Sequence, residues 1–179
     1  DTVSSNKLKP VAIMLTHAHL DHIFGVAALM HEYGIPVYFH EQETYTLETT
    51  NPFLCKAFGL KMPQNPEGDI RFVKDGDIIK VGSLDFEVLD TPGHSKGGIC
   101  LLERKDKVLF SGDTLFAGAI GRTDHPGGDY DKLMESIFTK LLHLEGDTKV
   151  IPGHGPCSDI STERMTNPFL MPFNEPYEE

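Results

Sequence analysis

The 179-residue chain has few cysteines, a deficit of basic residues and no long apolar run. Its three cysteines, Cys55, Cys100 and Cys157, are odd in number and lack zinc-finger spacing. They fit reduced thiols acting as small buried hydrophobes, although Cys157, three residues after His154, could line a pocket there. No apolar stretch is long enough to span a bilayer, which excludes a transmembrane helix and removes the membrane as an expected partner. No secretory signal opens the chain, so the expected compartment is the cytoplasm. Sixteen Lys and Arg face 27 Asp and Glu, for a net charge of −11. That balance argues against nucleic acid, whose phosphates need clustered cations. It leaves room for an anionic small substrate, because the local field of a cleft outweighs net charge. Internal repeats and low-complexity segments are also absent. The length suits one well-buried domain over residues 1–179.

What is present alternates between two periods. The opening residues to Pro10 read as the tail of a helix and a turn. Val11 to Leu15 is a short apolar run and predicts a buried strand. Ile23, Val26, Ala27 and Met30 recur at helical spacing, and Gly34 closes that helix. Pro36 to His40 predicts a strand. Residues 41–58 look helical in part, with a break at Asn51-Pro52, and Gly59 to Asp69 is loop. From Ile70 the pattern turns to strands: Ile70–Val73, Ile78–Val81, and Leu84, Phe86 and Val88 in alternation predict an antiparallel meander. Gly98–Leu102 and Val108–Phe110 are further strands, and Thr114 to Gly128 is loop. Asp129 fits a helix cap ahead of Leu133, Met134, Ile137, Phe138 and Leu141. A strand over Lys149–Ile151, a short helix near residues 159–165 and a Pro-rich tail complete the chain. Two runs of strands, each followed by helix, predict two sheets packed face to face with helices outside.

The chemistry is concentrated in Thr16-His-Ala-His-Leu-Asp-His22, between a strand end and a helix start. Imidazole nitrogens and carboxylate oxygens are the donors that borderline divalent metals prefer. In extended chain His17 and His19 point the same way and can grip one ion. Asp21 and His22, where the chain turns into helix, aim at a neighbouring point, so the spacing suits two adjacent sites. Three later loops offer the remaining donors: His94 in Thr-Pro-Gly-His-Ser, Asp113 in Ser-Gly-Asp-Thr, and His154 in Pro-Gly-His-Gly-Pro. Each follows a strand, where loops carry functional residues, and each has a glycine that allows a tight backbone path. A lone loop histidine or aspartate is usually solvated. Three histidines and an aspartate within six residues have little structural use without a metal. His31, His40, His125 and His143 are read as ordinary surface or structural residues.

These segments, in this order, resemble the metallo-β-lactamase superfamily, and the resemblance runs from Val11 to the end of the chain. It implies a four-layered αββα sandwich of the α+β class. It implies that His17, His19 and His94 hold one metal, that Asp21, His22 and His154 hold a second, and that Asp113 bridges both. Two divalent ions are therefore the expected cofactors, zinc first, with iron and manganese also suited. Within the superfamily the chain is most similar to short, single-domain members of the glyoxalase II-like hydroxyacylglutathione hydrolases. The similarity rests on Ser111-Gly-Asp-Thr-Leu-Phe116, Gly121-Arg-Thr-Asp124, Pro126-Gly-Gly-Asp129 and Glu163-Arg-Met-Thr-Asn-Pro-Phe169. The family's usual first strands, before Lys9-Pro10, are expected to be missing from this chain. So is the added helical domain that binds glutathione in longer members.

The resemblance implies hydrolysis of a small thioester, with S-lactoylglutathione first among candidates and Asp21 orienting the attacking water. Arg122 is the candidate to meet an anionic substrate, with a surface salt bridge as its plain alternative. The rival within the family is a persulfide dioxygenase, which also carries Gly-Arg-Thr-Asp but uses one iron, without His22 and His154 as ligands. Lactone, β-lactam and RNA hydrolysis are other superfamily chemistries. A non-catalytic binding module would show eroded ligands, and none of the seven is eroded.

Overall fold

The structure, a computed structural model, describes residues 2–171; the Pro-rich tail beyond them lies outside the described residues. After α1 (Thr2–Ser5), β1 (Ile13–Met14) is shorter than the apolar run that encodes it. The helical stretch that follows divides into α2 (Leu20–Ile23) and α3 (Val26–Tyr33) at Phe24-Gly25. Gly34 ends α3 in the left-handed conformation, φ 61°, with its N–H bonded to the Met30 carbonyl, as a glycine cap requires.

β2 (Val37–His40) leads into α4 (Glu43–Tyr45), a π turn (Thr46–Thr50) and α5 (Asn51–Phe58). The break expected at Asn51-Pro52 does not occur. Proline cannot donate an N–H, and the π turn immediately before it shifts the hydrogen-bond register, so helix continues past Pro52.

The strands expected as one meander belong to two sheets. β3 (Ile70–Val73) pairs in parallel with β2, which pairs in parallel with β1. β4 (Ile78–Val81) and β5 (Leu84–Asp90) form an antiparallel hairpin in the second sheet. The Asp75-Gly76 turn thus carries the chain from one sheet to the other, a step that strand periodicity cannot distinguish from a hairpin. β6 (Ile99–Glu103), β7 (Val108–Gly112), β10 (Lys149–Pro152) and β11 (Ser158–Asp159) complete a six-stranded sheet in the order β11-β10-β7-β6-β5-β4. The loop expected after Thr114 holds a two-residue hairpin, β8 (Leu115–Phe116) with β9 (Ala119–Ile120). α6 (Tyr130–Ser136) starts at Asp129, whose carboxylate accepts the Lys132 N–H, and runs into a second π turn (Ile137–Leu141). α7 (Ile160–Thr166) is capped in the same way by Asp159.

Three apolar clusters define four layers. Leu15, Ile23, Val26, Met30, Val37, Phe39 and Leu47 join the small sheet to α2, α3 and the 43–58 helix. Val73, Ile79, Phe86, Val88, Ile99 and Leu101, with Met14 and Tyr38 against them, fill the space between the sheets. Leu89, Cys100, Leu102, Leu109, Leu133, Ile137, Leu141 and Ile160 join the large sheet to α6 and α7. β6 shows the logic: Ile99 and Leu101 face the first sheet while Cys100 and Leu102 face the helices, the period-two alternation of a strand. The architecture is the expected αββα sandwich. Cys55 and Cys100 are buried as expected, and burial pushes the Cys100 thiol up to about 11. Cys157 is exposed, in the exposed 153–157 loop that joins β10 to β11.

Candidate metal centre

Each chemistry-bearing segment leaves the carboxyl end of a strand: residues 17–22 after β1, His94 after β5, Asp113 after β7 and His154 after β10. β5 and β7 both run antiparallel to β6, and β10 runs parallel to β7. Their carboxyl ends therefore meet at one edge of the large sheet. The small sheet is tied to that edge where the Ile99 N–H donates to the Thr16 carbonyl at 2.8 Å.

All seven side chains converge there. Ring nitrogens of His17, His19 and His94 lie within 4.8 Å of one another, and so do donor atoms of Asp21, His22 and His154. Asp113 joins the two groups. Its Oδ1 is 3.5 Å from His22 Nε2, and its Oδ2 is 3.6 Å from His94 Nε2 and 3.7 Å from His154 Nε2. Glycine makes this approach possible at Gly153, where an added Cβ would lie 2.3 Å from Asp113 Oδ1 and 2.9 Å from the His22 ring. Gly112, at φ 51°, passes equally close to the Thr16 hydroxyl.

The electrostatics suit cations. Burial, reinforced by the neighbouring imidazoles, holds His17 well below its ordinary value and His19 at about 3; burial also lowers His94. Burial opposes a charge on His22 too, but the Asp113 carboxylate beside it outweighs that and raises it. The same burial opposes ionisation of Asp113, and His22, His94 and His154 overcome it, so the carboxyl sits below the usual range. The result is three imidazoles held neutral, His17, His19 and His94, beside an anionic Asp113 carboxylate, the protonation that metal binding needs. His17 Nε2, His19 Nε2, His22 Nε2 and Asp113 Oδ1 are buried with no hydrogen-bond partner. Burying polar atoms unpaired is costly, and four of them within the adjoining donor groups fit bound cations. The Arg122 carbonyl accepts a hydrogen bond from His94 Nδ1 at 2.8 Å, which leaves Nε2 as that ring's donor toward the cluster.

Arg122 therefore acts on the centre through its backbone. Its guanidinium is exposed and pairs with both oxygens of Asp124, at 2.9 and 3.0 Å. His40 pairs with Asp90 at 3.6 Å, away from the cluster. His125 behaves otherwise than a surface residue. Its ring lies edge-on 4.7 Å from His19 and 5.1 Å from His94, and both its nitrogens are buried without a partner. Nothing in the sequence marks it, since a single histidine in a Gly- and Pro-rich loop has no period and no neighbouring ligand. The buried Glu43 and Asn51 were equally silent, because their partners are backbone atoms far away in sequence.

Residues 3–154 match the metallo-beta-lactamase superfamily domain. The chain belongs to the metallo-β-lactamase superfamily. It is a metallohydrolase of that superfamily, whose members bind divalent metals, and its histidine-rich cluster has the matching donor set. It is similar to the hydroxyacylglutathione hydrolase GloC of Haemophilus influenzae, 40% identical over 158 residues, which covers 88% of this chain and 74% of the relative. Among solved structures it resembles the BLEG-1 B3 metallo-beta-lactamase, with a TM-score of 0.87 and 40% identity over 94% of this chain and 81% of the other. It also resembles the di-iron-bound form of TTHA1623, with a TM-score of 0.84 and 38% identity over 94% and 82%. Among the described residues no helix is long and apolar enough to cross a membrane.

Proposed function

We propose that this protein hydrolyses a small thioester of the hydroxyacylglutathione type in the cytoplasm, using two divalent ions, zinc first. The observation that carries the reading is the pair of donor groups joined by Asp113. The likeness to GloC supports the choice of thioester. His17, His19 and His94 would hold one ion, Asp21, His22 and His154 the other, with Asp113 shared. When bound, such ions supply Lewis acidity and bring the pKa of a water from about 15.7 toward 7.

The residues of the chain provide the rest. Asp21 and His154 are each more than half exposed, and Asp21 Oδ2 lies 2.9 Å from His154 Nε2, so this pair forms the open side of the centre. There Asp21 Oδ2 would accept a hydrogen bond from the attacking water and orient it. Hydrolysis adds the water oxygen to the acyl carbon and breaks the C–S bond, giving a carboxylate and a thiol. A thiol with a pKa near 8.5 leaves with little acid assistance. The Arg122 guanidinium, once released from Asp124, can meet a substrate carboxylate. Net charge −11 supports a small-molecule substrate over nucleic acid.

The group Asp21–His22–His154 favours this two-ion hydrolase over a one-iron persulfide dioxygenase, which would leave His22 and His154 without a ligand role. Purified, metal-loaded protein given S-lactoylglutathione is expected to release free thiol at a rate far above that of a His19→Ala control. Equal rates in the two proteins would refute the assignment.

A further inference from the structure

Glu43, in the helix that covers the small sheet, is completely buried, and both its carboxylate oxygens are occupied by backbone. Oε2 accepts the N–H of Ala18 at 2.7 Å, and Oε1 accepts the N–H of Gly97 at 2.9 Å. Ala18 lies between His17 and His19; Gly97 lies three residues after His94. One carboxylate therefore ties together the two loops that carry the first donor group. The other side of Ala18 is held as well, since Asn51 Nδ2 donates to its carbonyl at 2.8 Å, and Asn51 is also completely buried. A fourth bond, from the buried Thr50 hydroxyl to the Pro126 carbonyl at 2.6 Å, anchors the loop that presents His125.

The helix is shaped for this task. Positions eight apart in a regular α-helix are rotated by roughly 80° from one another, which would turn Asn51 away from Ala18. The π turn over Thr46–Thr50 inserts one extra residue and removes about that rotation, so Glu43 and Asn51 reach the two backbone groups of one residue, Ala18. The fit at Gly97 is close: an added Cβ there would lie 2.8 Å from the Glu43 nitrogen.

We propose that Glu43, assisted by Asn51, is a positioning residue for the first metal: it fixes the separation of the His17–His19 and His94 loops and so sets the affinity of that one site. The proposal rests on the two-metal reading above. Substituting groups that orient metal ligands typically costs 10–100-fold in affinity, and the substitution Glu43→Gln does so here by a specific route. The amide keeps the volume but turns an NH2 group toward one of the two backbone N–H donors, so one of the two ties is lost.

The test uses two backgrounds that each retain a single donor group, His154→Ala and His19→Ala. Each is titrated with Zn2+ against a chromophoric chelator, with and without Glu43→Gln. In the His154→Ala background the added substitution is expected to weaken binding about 10–100-fold. In the His19→Ala background binding is expected to change by less than about threefold. Co2+ loaded into the His154→Ala protein is expected to change its visible absorption spectrum when Glu43→Gln is added. If Glu43→Gln does not fold, as judged by circular dichroism of the metal-free protein, Asn51→Ala takes its place with the same site-selective expectation. Two equivalents bound by the unmutated protein, with equal losses in both backgrounds or none in either, would overturn the proposal and leave the two-metal reading intact. No tight binding by the unmutated protein would overturn both.

Discussion

His17, His19 and His94 stay neutral where exposed histidines would begin to protonate, and this has a cost in acid. Their folded values lie below the ordinary 6.5, His19 at about 3, so between those limits the unfolded chain binds more protons than the folded one. Stability of the metal-free protein must then fall as pH drops through 6.5. His22, raised by Asp113, works in the opposite direction but is one ring against three. Thermal melts of metal-free protein are expected to give a lower Tm at pH 5 than at pH 7.5; the same Tm at both would contradict the neutral-imidazole picture. At this scale the seven converging residues were legible because ligands gather where strands end, beside glycines that permit close approach. His125, Glu43 and Asn51 were not legible. Each acts across space on a partner far away in sequence, and a single residue of that kind leaves no pattern.

The helix beginning at α6 shows how an element supports a site. Its Leu133 is fully buried against the large sheet, and a Cβ on Gly93 would lie 2.2 Å from the Leu133 nitrogen. The Asp129 N–H, at the cap, donates to the Gly93 carbonyl at 2.7 Å. This helix start is therefore the floor beneath the His94 loop. Leu133→Ala is expected to destabilise the protein by about 2–5 kcal/mol, read from urea denaturation; a loss below about 1 kcal/mol would mean the helix contributes little to the core. Helix periodicity, the Gly34 cap and the Asp129 cap were readable because each depends on local chemistry. The transfer of the chain between sheets at Asp75-Gly76 and the two π turns were not, because they answer to packing partners that local sequence does not specify.

In the whole molecule, two sheets of unequal size bring carboxyl strand ends to one edge, and helices cover the outer faces. Two packed sheets with helices outside could be read from the alternating periods. The four-layered arrangement was implied by the resemblance, and the three apolar clusters show why it holds: each layer boundary has its own set of buried side chains. The proposed hydrolase requires the metal centre to hold two ions at once, and elemental analysis of the purified, Zn2+-reconstituted protein tests this most directly. Two equivalents per chain, falling to one in His154→Ala, are expected. A single equivalent of iron in protein as isolated, unchanged by His154→Ala, would contradict it.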